Sequence, residues 1–563
     1  MIDCLIDNST QCNGKYSAYL CFDYDKYIVE VIRALPTRYY YPESKEWEIP
    51  LKKLEEVKNK LSMYEWKETY TENVAEHTET VSIPSDYTFV TKPYEYQLEG
   101  IKYGLQHDSF LLADEQGTGK TKQMIDLACI RKKLYGYKHC LIIACINSTK
   151  LNWRHEVSIH SNEQSLVLGM RTRKNGREYV GSTQDKLADL KALSADSPYF
   201  IITNVETLRD KDISAYIRKL CDNNTISMCV VDEFHKAANT TSQQGKSLQK
   251  IQTKCRVALT GTPILNRPLD AYGILKWLGY EKHNLTQFKQ HHCRFGGYGS
   301  YQIVGYKNLQ DIQDTLDDMM LRRLKKDVLD LPDKVIIEEY LEMGTKQEKI
   351  YKECIEQFKR DIDLVKTSPN PLSQMIRMRQ ATGYTGILSS TVKESVKFER
   401  LAQIVDDAIE NKDCVVCFTQ WTSVSKPCVE YLITKGYKVA TITGETSDID
   451  RKLIVDNFQE GCYDVLVGTI GAIGTGINLY KAHIEVFLDV PWTRAVFDQA
   501  TDRCHRIGQT NKVTIYNLVC RGTIDEKIWR LVKKKGNVSD VLLKDVSTNT
   551  DDVTELINSI MEE

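Results

Sequence analysis

The sequence contains no apolar run of ~18 residues, which excludes an ordinary transmembrane helix. It carries no surplus of either charge: 75 Lys and Arg stand against 77 Asp and Glu, a formal net charge of −2. Any surface for a polyanion must therefore be local rather than global. The N-terminus, MIDCLIDNST, lacks a basic segment followed by an apolar stretch, so no secretory signal is expected. The 17 cysteines show no zinc-finger spacing. Cys414-Val-Val-Cys417 is the one Cys-x-x-Cys, it lies in an apolar run, and it reads as two core thiols. Buried thiols scattered through strand-like runs such as HCLIIAC suit a reduced, cytoplasmic chain. No tandem repeat of short period is present.

What is present is ordinary for a globular chain: 42% hydrophobic and 27% charged residues over 563 positions. That length is too great for one core and suggests about three or four domains. Residues 1–88 are rich in Tyr and charge. Their stretch YYYPESKEWEIPLKKLEEVKNKL predicts a strand pair around a turn at Pro42–Lys45, then a helix from about Leu51. A polar linker, Thr69–Asp86, follows. From about residue 89 short apolar strands alternate with helical segments: FLLAD (110–114), HCLIIAC (139–145), YFIITN (199–204), MCVVDE (228–233) and CRVALTG (255–261). A second alternating block holds DCVVCFT (413–419), KVATIT (438–443), DVLVGT (464–469), IEVFLDV (484–490) and VTIYNLV (513–519). Such alternation predicts parallel sheets covered by helices on both faces. Residues 1–88 then form an N-terminal module and 89–335 a first α/β lobe with a helical insertion over 270–330. A helical linker spans 336–395, a second α/β lobe 396–545, and an acidic tail 546–563.

The chemistry concentrates at strand ends. In Ala113–Thr121, ADEQGTGKT, a glycine-containing turn leads into a helix. Backbone N–H groups of Gly117, Thr118 and Gly119 can surround phosphate oxygens at a helix N-terminus. Lys120 would reach the terminal phosphates of ATP, and the Thr121 hydroxyl would bind Mg²⁺. The strict cradle pattern wants glycine where Asp114 stands, so alone the motif leaves a solvated turn open. Val230-Val231-Asp232-Glu233 adds two carboxylates after an apolar strand, Asp232 for Mg²⁺ and Glu233 to polarise a water. Leu259-Thr-Gly-Thr-Pro263 ends a further strand with small hydroxyls that can relay the phosphate state. Gln97, before the first strand, has an amide that could read an adenine edge.

The second block carries Gln499-Ala-Thr-Asp-Arg503-Cys-His-Arg506-Ile-Gly-Gln509. Three-residue spacing puts Arg503 and Arg506 on one face of a short helix, where guanidiniums match phosphate oxygens. A surface helix with salt bridges is the alternative. The loop Gly468–Leu479 is glycine-rich but has no lysine. Its hydroxyls, Thr469 and Thr475, suit a nucleic-acid backbone phosphate or the cleft, as does Gly476 for nucleotide.

Taken in order, YQLEGI, DEQGTGKT, DEFH, LTGTP, GTGINL and DRCHRIGQ resemble the Swi/Snf family of superfamily-two, helicase-like ATPases, over about residues 90–545. LRRLKKDVLDLPDK (321–334) is similar to that family's segment closing the first lobe, and GTIDEKIWRLVKKKG (522–536) to its brace after the second. The family's DEMGLGKT makes Asp114 normal. DEFH and Asp489-Val-Pro-Trp-Thr depart from the family's usual forms. The resemblance implies an α/β fold of two RecA-like parallel-sheet lobes with helical insertions, beside a small α+β N-terminal module. It also implies ATP hydrolysis with Mg²⁺, coupled to movement along double-stranded DNA, with Lys120, Asp232, Glu233, Arg503 and Arg506 catalytic. Trp153, in INSTKLNWRHEV, resembles the family's first-lobe DNA-contact segment, though a core position is equally open. YYYPESKEWEIPL resembles the DNA-fork-binding HARP module of annealing helicases through Tyr41, Trp47 and Pro50. Branched DNA is thus the expected partner, with single-strand-binding or replication and repair proteins beside it, and a monomer in a bacterial or phage-infected cytoplasm the expected state. A motor subunit of a defence or restriction complex, a DNA-binding scaffold with vestigial hydrolysis, and an RNA helicase remain alternatives.

Overall fold

Three sheets organise the chain in the computed structural model, each built where apolar residues alternate or run together. The structure describes all residues except 8–16, 36–37, 71–80, 148, 177, 263–267, 297–301, 365–370, 475–476 and 535–563. The expected acidic tail and most of the expected polar linker lie outside the described residues. Two compact units result: Met1–Asp114 with Gly119–Arg323, and the chain from Leu324 together with Glu115–Thr118.

The N-terminal sheet contains β1 (Ile2–Asp7), β2 (Ser17–Cys21), β3 (Tyr39–Tyr41), β4 (Glu46–Pro50) and β5 (Trp66–Tyr70), in the order β3-β4-β2-β1-β5. The expected turn and strand pair are there, with Lys45 in the left-handed region at φ 58°. The sheet is larger than a strand pair because β1 pairs with the distant β5 in parallel. Alternation buries Ile2, Cys4, Ile6, Ala18, Leu20 and Ile49 on one face, against helices Lys26–Arg33 and Leu54–Lys60. The module has a sheet and a core of its own and lies within the first compact unit. Tyr41 donates to Glu48 at 2.7 Å, and Glu48 pairs with Lys282 of the insertion. Trp47 stands against Tyr40 at 4.9 Å between centroids.

The first α/β sheet contains β6 (Ser109–Leu112), β7 (His139–Ala144) and β8 (Ser165–Val167). A short pair, β9 (Met170–Thr172) and β10 (Glu178–Val180), intervenes before β11 (Phe200–Asn204), β12 (Ile226–Asp232) and β13 (Cys255–Leu259). A hairpin, β14 (Cys293–Gly296) and β15 (Gln302–Tyr306), precedes the edge strand β16 (Met320–Leu321). The order is β16-β6-β13-β12-β7-β11-β8, parallel throughout. Alternate residues enter opposite cores: Phe110 and Leu112 on one face, Leu111 and Ala113 on the other. Both faces are covered by helices, which is why these strands read as continuous apolar runs.

The second α/β sheet contains β17 (Lys334–Leu341), β18 (Val415–Thr419), β19 (Val439–Ile442), β20 (Val465–Thr469), β21 (Ile484–Phe487) and β22 (Val513–Cys520). Its order is β17-β22-β21-β18-β20-β19, again parallel. Val416 and Phe418 face one core, Val415 and Cys417 the other. The segment expected to be a linker, 336–395, is instead part of this lobe. β17 pairs with β22 along its whole length, and Tyr351, Phe358, Met375 and Met378 lie in the lobe's core. Cys414 and Cys417 are 4% and 0% exposed, as core thiols. No helix among the described residues is long and apolar enough to cross a membrane.

Candidate active site

Strand register assembles the first-unit site. Leu112 of β6 pairs with Leu259 of β13, Leu259 with Asp232 of β12, and Asp232 with Ala144 of β7. The phosphate turn, the carboxylate pair and Thr260 therefore leave the sheet at one level, on adjacent strands roughly 5 Å apart. They stand beyond the carboxyl ends of parallel strands, where α/β sheets place ligands.

The turn is built for an anion. Gly117 and Gly119 hold φ of 81° and 78°, a region where a Cβ is strained. Gly119 caps the helix Lys120–Tyr135, whose first turn has no acidic residue to satisfy its N-terminal N–H groups. Thr118 Oγ1 donates to the Glu115 carbonyl at 2.8 Å. Lys120 Nζ donates to the Asp114 carbonyl at 2.8 Å, and Thr121 follows in the same helical turn.

Asp114 explains its own departure from glycine. It is fully buried, and Arg323 grips it bidentately, Nη2 to Oδ2 at 2.6 Å and Nε to Oδ1 at 3.0 Å. Gln123 Nε2 adds a third bond at 3.1 Å. The Arg323 guanidinium also lies 5.3 Å from the centre of the Tyr96 ring. The root of the phosphate turn is thus tied to the segment that follows β16. Gln97 is 2% exposed, and its Oε1 accepts the Tyr94 N–H at 3.0 Å as part of a helix cap.

The two carboxylates are held differently. Asp232 ends β12, and Trp153 Nε1–H donates to its Oδ2 at 2.9 Å. Burial, then the neighbouring charge of Glu233, push the Asp232 carboxyl up to about 6. Glu233 sits at φ 51°, ψ 48°, in the left-handed region. For a side chain with a Cβ this costs about 1–3 kcal/mol. His235 Nδ1 stands 3.4 Å from Glu233 Oε2 and 2.9 Å from the hydroxyl of buried Thr260. Burial, with help from Lys236 and Lys120, lowers the His235 imidazole to about 3. It is neutral at working pH, so its hydrogen bond goes to Thr260 and its approach to Glu233 is not an ion pair.

Of the two readings of Trp153, burial favours the core one: it is 1% exposed and packs in the core of the first sheet.

In the second unit, Arg503 and Arg506 do not lie on a helix. The helix Arg494–Thr501 ends before them, and both are set in the following turn. They still converge, each with Nη1 at 3.5 Å from the Ile477 carbonyl. Arg506 also bonds Asn478, and Arg503 Nε donates to the Gln499 carbonyl at 3.0 Å. Asp502, just before them, is paired with Lys325 at 2.6 Å. Burial opposes ionisation of Asp502, but Lys325 and Lys334 outweigh it and hold the carboxyl below its ordinary range. Thr469 ends β20 and is 8% exposed, while Thr475 and Gly476 lie outside the described residues.

The donors available to a cation are oxygens: the Thr121 hydroxyl and the Asp232 carboxylate. Among the described residues no group of three or more His, Cys, Asp or Glu would hold a metal by itself. A hard ion completed by substrate phosphates, as Mg²⁺ is, fits this set. It would also offset the burial and the neighbouring Glu233 charge that raise Asp232.

Residues 50–389 match the family model for an SNF2-related domain, and residues 396–508 that for a helicase conserved C-terminal domain. An uncharacterized ATP-dependent helicase of Mycoplasma pneumoniae is 28% identical over 81% of this chain and 43% of its own length. The Caenorhabditis elegans chromodomain-helicase-DNA-binding protein 3 homolog is 26% identical over 78% of this chain and 26% of its own. Human DNA annealing helicase and endonuclease ZRANB3 is 26% identical over 79% of this chain and 40% of its own. The chain thus spans less than half the length of these relatives. The solved Sulfolobus solfataricus SWI2/SNF2 ATPase core in complex with dsDNA aligns over 82% of this chain at 24% identity, with a TM-score of 0.37.

Proposed function

We propose, from the premise that this chain belongs to the SNF2-related family of ATP-dependent helicases, that it hydrolyses ATP to move along double-stranded DNA and remodels branched DNA. The observation that carries the hydrolytic half is the common level of the phosphate turn, Asp232–Glu233 and Thr260 on adjacent parallel strands. On ATP binding, Lys120 exchanges the Asp114 carbonyl for the terminal phosphates, and the N-terminal N–H groups of its helix take phosphate oxygens. Thr121 and Asp232 would hold Mg²⁺, which supplies charge neutralisation at the phosphates. Glu233 accepts a hydrogen bond from the attacking water and orients it. Neutral His235 passes the position of Glu233 to Thr260. Arg503 and Arg506 supply positive charge for the transferring phosphoryl group.

The DNA half rests on the family and on the second lobe's loops, where Thr469 is a candidate backbone contact. The remodelling reading draws on the human relative, a DNA annealing helicase and endonuclease, and the branched-DNA preference on the HARP-like Tyr41–Pro50 stretch of the N-terminal sheet. Phosphate contacts would dominate, so sequence preference should be weak and salt dependence strong.

The test is ATP turnover by the purified chain against forked DNA, blunt duplex, single-stranded DNA and RNA. Forked DNA stimulating most supports the proposal. Equal stimulation by fork and blunt duplex favours a motor that strips proteins or serves a defence complex. RNA stimulating most favours an RNA helicase, and no turnover with any of them favours a DNA-binding scaffold. Lys120→Ala should abolish any turnover seen.

A further inference from the structure

Asp232 ends β12 with a carboxylate that must hold a fixed direction to serve as a ligand, and a donor reaches it from a neighbouring element. β7 lies beside β12, with Ala144 paired to Asp232, and the helix Thr149–His160 follows β7 after a short turn. That places Trp153, in the second turn of the helix, beside the end of β12. Its ring lies in the buried cluster that also holds Ile142, Val157 and Val230, and its Nε1–H meets Asp232 Oδ2 at 2.9 Å. A buried indole N–H seeks an acceptor. Here the acceptor is the carboxylate that the reading above assigns to the metal, and no neutral group takes its place.

We propose that Trp153 is a positioning residue for nucleotide hydrolysis: its indole N–H pins Oδ2 of Asp232, fixing the carboxylate so that Oδ1 is presented to the Mg²⁺ of Mg–ATP. This rests on the ATPase reading. The Glu233 backbone N–H also reaches this carboxylate, and the indole adds a rigid donor that limits its rotation about χ2 and the ordering entropy paid at metal binding. The ring itself is locked by its own core packing. Partners that orient a metal ligand typically matter by ~10–100-fold in metal affinity or activity.

The test is Trp153→Phe in the full chain, which keeps an aromatic ring and loses the N–H. Binding of a fluorescent ATP analogue is titrated with Mg²⁺. The Mg²⁺ concentration for half-maximal tight binding should rise about tenfold, with Mg²⁺-free nucleotide affinity within about twofold of the parent. At saturating Mg²⁺, kcat should fall while the KM for ATP holds. In an Asp232→Asn background the same substitution should add nothing. An unchanged Mg²⁺ requirement overturns the proposal even where turnover or melting temperature falls, because packing alone would then account for Trp153. A parent chain that binds nucleotide with no Mg²⁺ dependence overturns the ATPase reading and this one with it, and is seen before any variant is made. If Trp153→Phe does not fold, benzothienylalanine at 153 keeps the bicyclic shape without the N–H and is read by the same two outcomes.

Discussion

Replacing Arg323 by Met is the sharpest probe of how the phosphate turn is held. The arginine makes two charge-assisted bonds to Asp114, at 2.6 and 3.0 Å, and the carboxylate is fully buried. Arg323→Met leaves that carboxylate with the Gln123 amide, at 3.1 Å, as its remaining side-chain donor here. Removing one partner of a buried pair costs about 3–5 kcal/mol, because the other charge stays behind uncompensated. In a unit of more than 300 residues each kcal/mol moves the melting point by about 1.5 °C. The first unit's transition should therefore fall by about 4–8 °C. The Asp114 carbonyl is also the resting acceptor of Lys120, so the KM for ATP should rise as the turn loosens. Asp114→Asn in the Arg323→Met background removes the stranded charge. The cycle should then show a favourable coupling of at least about 2 kcal/mol between the two positions. Calorimetry or fluorescence melting of the four proteins, with KM measured on each, decides it. A single variant melting within about 2 °C of the parent, or a double variant whose losses simply add to within about 0.5 kcal/mol, would refute the reasoning.

Glu233→Gln should keep ATP affinity and lower kcat by about 10²–10⁴, measured by nucleotide binding and phosphate release. Arg506→Ala should bind ATP like the parent and lose hydrolysis by about 10³ or more; parental turnover would remove this arginine from the chemistry. Glu485 is wholly buried in β21, and burial pushes its carboxyl up to about 8. Between its ordinary value of 4.5 and about 8 the native chain holds a proton that the unfolded chain has lost, so stability falls as pH rises, by roughly 5 kcal/mol in all. Glu485→Gln should therefore raise the second unit's melting point strongly at pH 8 and little at pH 5. Lys397 is buried and donates to Asp525 and to the Leu488 carbonyl, each at 2.6 Å. Lys397→Met should cost the second unit about 3–5 kcal/mol in thermal unfolding by stranding Asp525.

The parallel strands were legible because both faces are covered, and each of the ten expected runs contains a strand. What periodicity could not reveal is pairing between distant segments. β17 meets β22 across the entire second lobe, so 336–395 read as a linker though its strand and helices belong to that lobe's sheet and core. β1 meets β5 in the same way, so five strands read as two. The phosphate turn and Asp232–Glu233 were readable because chemistry demands those residues at strand ends. Asp114 departed from the strict cradle pattern and was normal only by resemblance; its partner lies more than 200 positions away in LRRLKKD. Two adjacent arginines after an apolar strand were the signal, and nothing local assigned one of them to Asp114. Trp153 read as DNA-facing or core with equal force, since an indole serves both. Arg503 and Arg506 kept their shared direction but lost their helix, which ends at Thr501.

The two adjacent carboxylates stand in different physical situations, and this separates their roles. Asp232 lies at a regular strand end and receives a rigid donor, which favours its charged form and suits a cation ligand. Glu233 is forced into a left-handed backbone conformation that aims its side chain away from the strand's own alternation. It stands 3.4 Å from His235, which is neutral throughout the working range. A carboxylate on a strained, directed backbone can orient a water. One pinned by an indole and crowded by a neighbouring charge is better satisfied by a metal. Exchanging the two, as Asp232→Glu with Glu233→Asp, would lengthen the residue that must stay fixed and shorten the one that must reach. Both binding with Mg²⁺ and turnover should then fail together, whereas Glu233→Gln alone should separate them. If the exchanged pair hydrolysed ATP within about tenfold of the parent, position would not determine role in this pair.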